Sequence, residues 1–171
     1  MEPVEPAQRT GLSEAARGST TVMIGASEMC SMGYTTQQRV AGSFDDVVNA
    51  TVDALGDEGF GVLCDIDVQA TFAEKLDEEF RQYRILGACN PGLAREGLDD
   101  EIELGALLPC NVIVYEDEGE DGAVTVSAVD PAQLVGIADN PALDSIATDV
   151  SDRFERVLEV IDDEFESPAE A

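Results

Sequence analysis

The chain has 171 residues, 44% of them hydrophobic, and sets 37 Asp and Glu against nine Lys and Arg for a net charge of −28. That length suits a single hydrophobic core, and the charge excludes binding to nucleic acid or an anionic membrane through bulk electrostatics, because phosphates need a basic face. A fold this acidic persists when concentrated salt screens it, the Debye length falling to about 3 Å at 1 M, so the composition is that expected of a halophile.

Residues 1–33 carry a net −2 and residues 34–171 a net −26, so the acidity belongs to the folded part. The first 33 residues, rich in Gly, Ser, Thr and Ala without a sustained period, read as a flexible extension. Met29 and Met32 close that stretch, and a hypothesis from their position is that translation begins at one of them; an intact mass matching the full chain would refute it. No apolar run is long enough for a membrane span or a secretory leader, and the four cysteines at 30, 64, 89 and 110 lack the density and spacing of a disulfide framework. The expected location is the cytoplasm, with reduced thiols.

From Tyr34 to Ala41 the pattern is extended. Ser43 followed by Phe44, Asp45 and Asp46 marks a helix start, with a capping hydroxyl and acids in the first turn. Phe44, Val47, Val48, Thr51 and Leu55 then share one helical face, and Gly56 and Gly59 supply a stop. Phe60, Val62, Cys64, Ile66 and Val68 alternate with Gly61, Asp65 and Asp67, the pattern of a strand with one buried face, which puts Cys64 in the core. A short helical piece over 71–79 precedes a strand over 83–89. Asn90-Pro91 then opens a short helix running towards Leu98.

Leu107 to Tyr115 is apolar in both phases, a central strand with Pro109 at its start. The acidic turn from Glu116 to Gly122 leads into a hairpin partner through Val124, Val126 and Ala128. Asn140-Pro141 opens the last helix, whose apolar positions 143, 146, 147, 150, 154, 157, 158, 161 and 165 keep the 3.6 period. The order predicts an α+β fold: a β-α-β-β-β-β-α sandwich, a mainly antiparallel sheet with helices packed on one face, spanning 34–165 and followed by a frayed tail over 166–171.

There is no histidine, which removes Ser-His-Asp and Cys-His catalysis and every His-ligated metal site. No phosphate-binding glycine loop occurs, and no Cys-x-x-Cys pair suggests zinc, so neither cofactor nor metal is expected. Asp117-x-Gly119-x-Asp121-Gly122 echoes half a calcium loop, but Ala128 stands where the loop needs Glu, and a solvated turn is the reading. The most informative junction is Cys89-Asn90-Pro91, where a thiol at a strand end precedes a helix N-terminus whose free N–H groups favour a thiolate or cradle an anion. Cys110-Asn111 repeats the pair at the start of the next strand, which would make Cys89 and Cys110 a dithiol if the strands are neighbours. Both could equally be small packed hydrophobes. Lys75, Arg81, Arg84 and Arg95 cluster nearby, either framing a small-anion pocket or pairing with the acids around them.

Tyr83-Arg84-Ile85-Leu86-Gly87-Ala88-Cys89-Asn90-Pro91 and Leu107-Leu108-Pro109-Cys110-Asn111-Val112-Ile113-Val114-Tyr115-Glu116, with Gly59-Phe60-Gly61-Val62 and Asp65-Ile66-Asp67-Val68, resemble the domain of unknown function 302 family over roughly 34–161. The resemblance implies a fold similar to the TATA-binding-protein-like class, without DNA binding, a homodimeric assembly, and an association of some members with sulfur or heavy-metal handling. It implies no settled activity. Three functions follow as expectations: a homodimer binding a small anion or soft ligand through Asn90, Pro91, Asn111, Arg84 and Arg81; a sulfur or redox enzyme using Cys89 with Cys110; or a structural interaction module.

Overall fold

A computed structural model of the chain describes residues 30–31, 33–118 and 122–165. The rest of the 1–33 extension, the tip of the acidic turn with Gly119 and Asp121, and the 166–171 tail lie outside the described residues. Among the described residues, six strands form one antiparallel sheet: β1 (Cys30–Ser31), β2 (Thr35–Ala41), β3 (Gly61–Asp67), β4 (Tyr83–Cys89), β5 (Cys110–Glu116) and β6 (Ala123–Val129), in the spatial order β1-β2-β6-β5-β4-β3. The helices are α1 (Phe44–Asp57), α2 (Val68–Leu76), α3 (Pro91–Asp100), α4 (Pro131–Ala138) and α5 (Asp144–Glu164), with 3₁₀ turns over Ile102–Leu107 and Pro141–Leu143. The expected α+β architecture holds. The last two residues of the 1–33 stretch before the gap form strand instead, Cys30 and Ser31 pairing with Gln37 and Thr36.

Helices α1 to α4 and the 3₁₀ turn ahead of α5 begin where short-range chemistry provides for their unpaired N–H groups, whereas α5 itself has no side-chain cap. Ser43 Oγ accepts from Asp46 N at the start of α1. Asn90, Asp130 and Asn140 each precede a proline at the first helical position, and each accepts from the backbone two residues on. The core lies between one sheet face and α1 and α5: Val40, Leu86, Ala88, Val112, Val114, Val124 and Val126 meet Val47, Leu55, Phe154, Leu158 and Ile161. Phe60 and Phe154 stack with ring centroids 4.9 Å apart.

Two further expectations change in the strands. The strand expected from Leu107 starts at Cys110, because 102–107 coils into a 3₁₀ turn before Pro109. In β3, Val62 pairs with Ala88 on the helix-covered face, but a register shift between Val62 and Cys64 puts Cys64 opposite Gly87 and Ile66 opposite Ile85, on the other face. One extra residue in a strand inverts every side chain after it. Cys64 is therefore exposed rather than a core residue, and Ile66 is 44% exposed. A Cβ on Gly87 would stand 2.5 Å from Cys64 Sγ and 2.8 Å from Pro109 Cγ, so that position needs glycine to let the bulged strand lie close.

Candidate functional site

A cavity of about 50 Å³ sits at the end of the sheet where β4 passes into α3 and β5 begins. The β4–α3 junction contributes Ala88, Cys89, Asn90 and Leu93, and the approach to β5 contributes Leu104, Leu107, Leu108 and Cys110. Leu134 and Val135 of α4 and Ile146 and Val150 of α5 form the far wall, with Phe60 at the side. Cys89, Asn90 and Cys110 are the polar side chains among the lining residues.

Asn90 is already committed. Its Oδ1 accepts from the N–H groups of Gly92 and Leu93, each at 3.1 Å, and its Nδ2 donates to Gly59 O at 3.0 Å. Ala94 N donates to Asn90 O at 2.9 Å, and Pro91 has no N–H, so the start of α3 is closed from within. The anion cradle expected there is filled by the protein itself. Gly59 has φ of +83°, and a Cβ there would meet Asn90 Nδ2 at 3.1 Å. The same loop is held from the other side, where Arg153 Nη1 donates to Glu58 O at 2.8 Å and Arg156 grips the Glu58 carboxylate. Asn90 is thus a strut joining α3 to the α1–β3 loop.

The thiols are not activated. Burial raises Cys89 above its ordinary value. Cys110 is pushed from 9.0 to about 11 by burial first and the neighbouring Cys89 second. Both are protonated at neutral pH, and with the N–H groups of Gly92 and Leu93 taken by Asn90, the helix start offers a thiolate nothing.

The remaining expected site residues lie elsewhere. Arg84 makes a two-pronged contact with Asp65, Nε to Oδ1 at 2.7 Å, and faces Asp67 at 3.8 Å. Arg81 pairs with Glu118 and donates to Glu116 O at 3.4 Å. Arg95 pairs with Asp99, and Lys75 with Glu74 at 2.5 Å. Asn111 is exposed opposite Gly87 on the sheet face without the core, and Pro91 starts α3 without lining the cavity. The sequence reading missed the α4 wall, although Asp130-Pro131 is the same kind of helix start as Asn90-Pro91. Among the described residues no group of His, Cys, Asp or Glu could hold a metal ion, and no helix is long and apolar enough to cross a membrane.

Among solved structures, the chain is similar to an uncharacterized conserved DUF302 protein from Bacillus stearothermophilus, with a TM-score of 0.70 and 29% identity over 75% of this chain and 98% of that one. No curated protein matches it. The family model for the domain of unknown function DUF302 matches residues 36–161, and the chain belongs to that family.

Proposed function

We propose that the protein is a non-enzymatic binding module, acting as a homodimer, that holds a small uncharged ligand of soft or apolar character against Cys89 and Cys110. The observation that carries this reading is a cavity of about 50 Å³ whose walls are almost wholly hydrocarbon and whose uncommitted polar groups are two protonated thiols. At roughly 10–15 Å³ per water-sized sphere, it takes a molecule of about three to five heavy atoms. A charged ligand would lose its hydration there without compensation. The anion half of the expectation loses its support, because Arg81 and Arg84 are paired with acids away from the cavity. The thiol-enzyme reading is weaker for a related reason, since a nucleophile needs the thiolate that burial disfavours.

The test is titration of the isotope-labelled protein in molar KCl with 1-propanethiol, following backbone amide shifts. Changes centred on Cys89, Leu93, Leu104 and Cys110, and lost in Ala147→Leu, which fills the cavity, support the reading. Shifts scattered elsewhere, or indifferent to Ala147→Leu, refute it. The charge of −28 supports a protein that acts in concentrated salt, away from nucleic acid and membranes. A melting temperature that failed to rise between about 0.1 M and 1 M KCl, where screening tightens from about 10 Å to 3 Å, would count against the salt adaptation.

A further inference from the structure

One wall of the cavity differs from the others. Helix α3 is tied by the Asn90 bond to Gly59 O, and α5 by Arg153 and Arg156 on Glu58. The 102–107 turn is pinned by Leu104, which is 6% exposed and packed so closely on α3 that a Cβ on Gly97 would stand 2.6 Å from it. Helix α4 has eight residues, of which Pro131 alone is buried. Gln133 is its one side chain with a polar group, and it is exposed and makes no hydrogen bond among the described residues, so apolar contact alone holds α4 to its neighbours. Gly136 lies within the helix, where glycine is the poorest former after proline. The helix ends at Asp139 with φ of +50°, a left-handed conformation that a non-glycine residue adopts at a cost. A helix this short is marginal in water without tertiary packing.

Between α4 and α5 runs a surface groove of about 320 Å³, lined by Ala132, Gly136, Asp144, Thr148 and Ser151. Val135 and Ala147 line both this groove and the cavity, so the two spaces meet across those two side chains. We infer that α4 is the gate of the cavity: the helix opens locally, Val135 leaves Ala147, and the ligand passes from the groove between α4 and α5 to Cys89 and Cys110. The inference rests on the cavity reading of the proposed function and says how the cavity is reached. Close-packed side chains give an entering molecule no path, and the element that yields is the one with the fewest buried contacts. Closing restores the apolar wall and shuts water out. Because the empty and the occupied protein both have α4 closed, entry and exit scale alike with the open fraction, and the affinity does not depend on it.

The experiment compares the full chain with two variants changed outside the cavity wall, all in molar KCl. Asp130 Oδ1 caps α4 by accepting from Ala132 N at 2.9 Å, so Asp130→Ala loosens the helix. A Cβ on Gly136 meets nothing within 4 Å, so Gly136→Ala tightens it. Each change shifts the open fraction about fivefold, in opposite directions. Hydrogen-exchange protection of the 134–138 amides is expected to fall about fivefold in the first variant and rise about fivefold in the second, with the α3 amides unchanged. Line shapes in a 1-propanethiol titration should give on- and off-rates that move together by the same factors at constant Kd. Iodoacetamide labelling of Cys110, which needs no ligand, should follow the same order. Labelling of Cys110 that is blind to both variants, a Kd that moves in place of the rates, or α4 exchange that occurs only by global unfolding overturns the gate. Propanethiol separates the two claims: no binding, with Cys110 labelling still following α4, removes the ligand and keeps the gate, whereas binding at rates indifferent to both variants keeps the cavity reading and removes the gate.

Discussion

Cys110 makes stability depend on pH in a window where few other groups of this chain titrate. Its folded value is about 11 against an ordinary 9.0, so the protonated thiol is the form the fold favours. The contribution is fully present below pH 9. As pH rises from 9, the unfolded chain releases the proton while the folded chain keeps it, and stability falls until about 11, where both have released it. At about 1.4 kcal/mol per tenfold change in proton activity, the gap corresponds to about 3 kcal/mol. Urea unfolding in molar KCl at pH 8, 9, 10 and 11, run on the wild type and on Cys110→Ala, isolates the effect. Burial also raises Cys89 and Tyr83; Tyr83 remains in the variant and cancels in the difference, whereas Cys89 adds to the Cys110 shift, so the same pair of curves on a Cys89→Ala background separates the two thiols. The variant begins about 1 kcal/mol less stable at pH 8, having lost a small packed side chain, and overtakes the wild type before pH 11. Parallel curves across the whole range would show that the Cys110 thiol is solvated and that the cavity beside it is not dry.

Asn90→Ala removes a helix cap and the bond to Gly59 O, and is expected to lower stability by about 2 kcal/mol; Asn90→Ser, which keeps the cap and drops the strut, recovers about half, and equal losses in chemical denaturation would refute the strut. Iodoacetamide at pH 8, read by peptide mass spectrometry on the folded protein, is expected to modify Cys64 first, Cys89 more slowly and Cys110 last, since Cys64 is exposed and burial raises the other two; a fast Cys89 would restore the thiol-enzyme reading. Gly87→Ala is expected to cost about 1–3 kcal/mol through its clash with Cys64 Sγ and Pro109. Adding Cys64→Ala should recover part of that, and additivity of the two changes would mean that the sulfur does not rest on the glycine.

Local chemistry was legible from residue order. A capping oxygen, a proline at the first helical position and a 3.6-residue apolar period act over a few residues, so the starts at Ser43 and Asn90, the long face of α5 and the β5–β6 hairpin could be read directly. The same signal at Asp130-Pro131 was present and marks α4, the wall of the cavity. What the order of residues could not show depends on partners far along the chain. Alternation alone placed Cys64 with Phe60 and Val62, and only pairing against β4 revealed the bulge that turns it to the opposite face. Cys89 before a helix start looks like an activated thiol until the side chain of Asn90 is seen to occupy the N–H groups it would need and to reach Gly59, 31 residues away. Sequence determined which segments become helix and strand, because those choices are settled by hydrogen bonds and side-chain periods within a turn or two. Tertiary structure decided which faces are covered, which donors are already taken and where a cavity remains, because burial and desolvation are properties of neighbours that only the fold brings together.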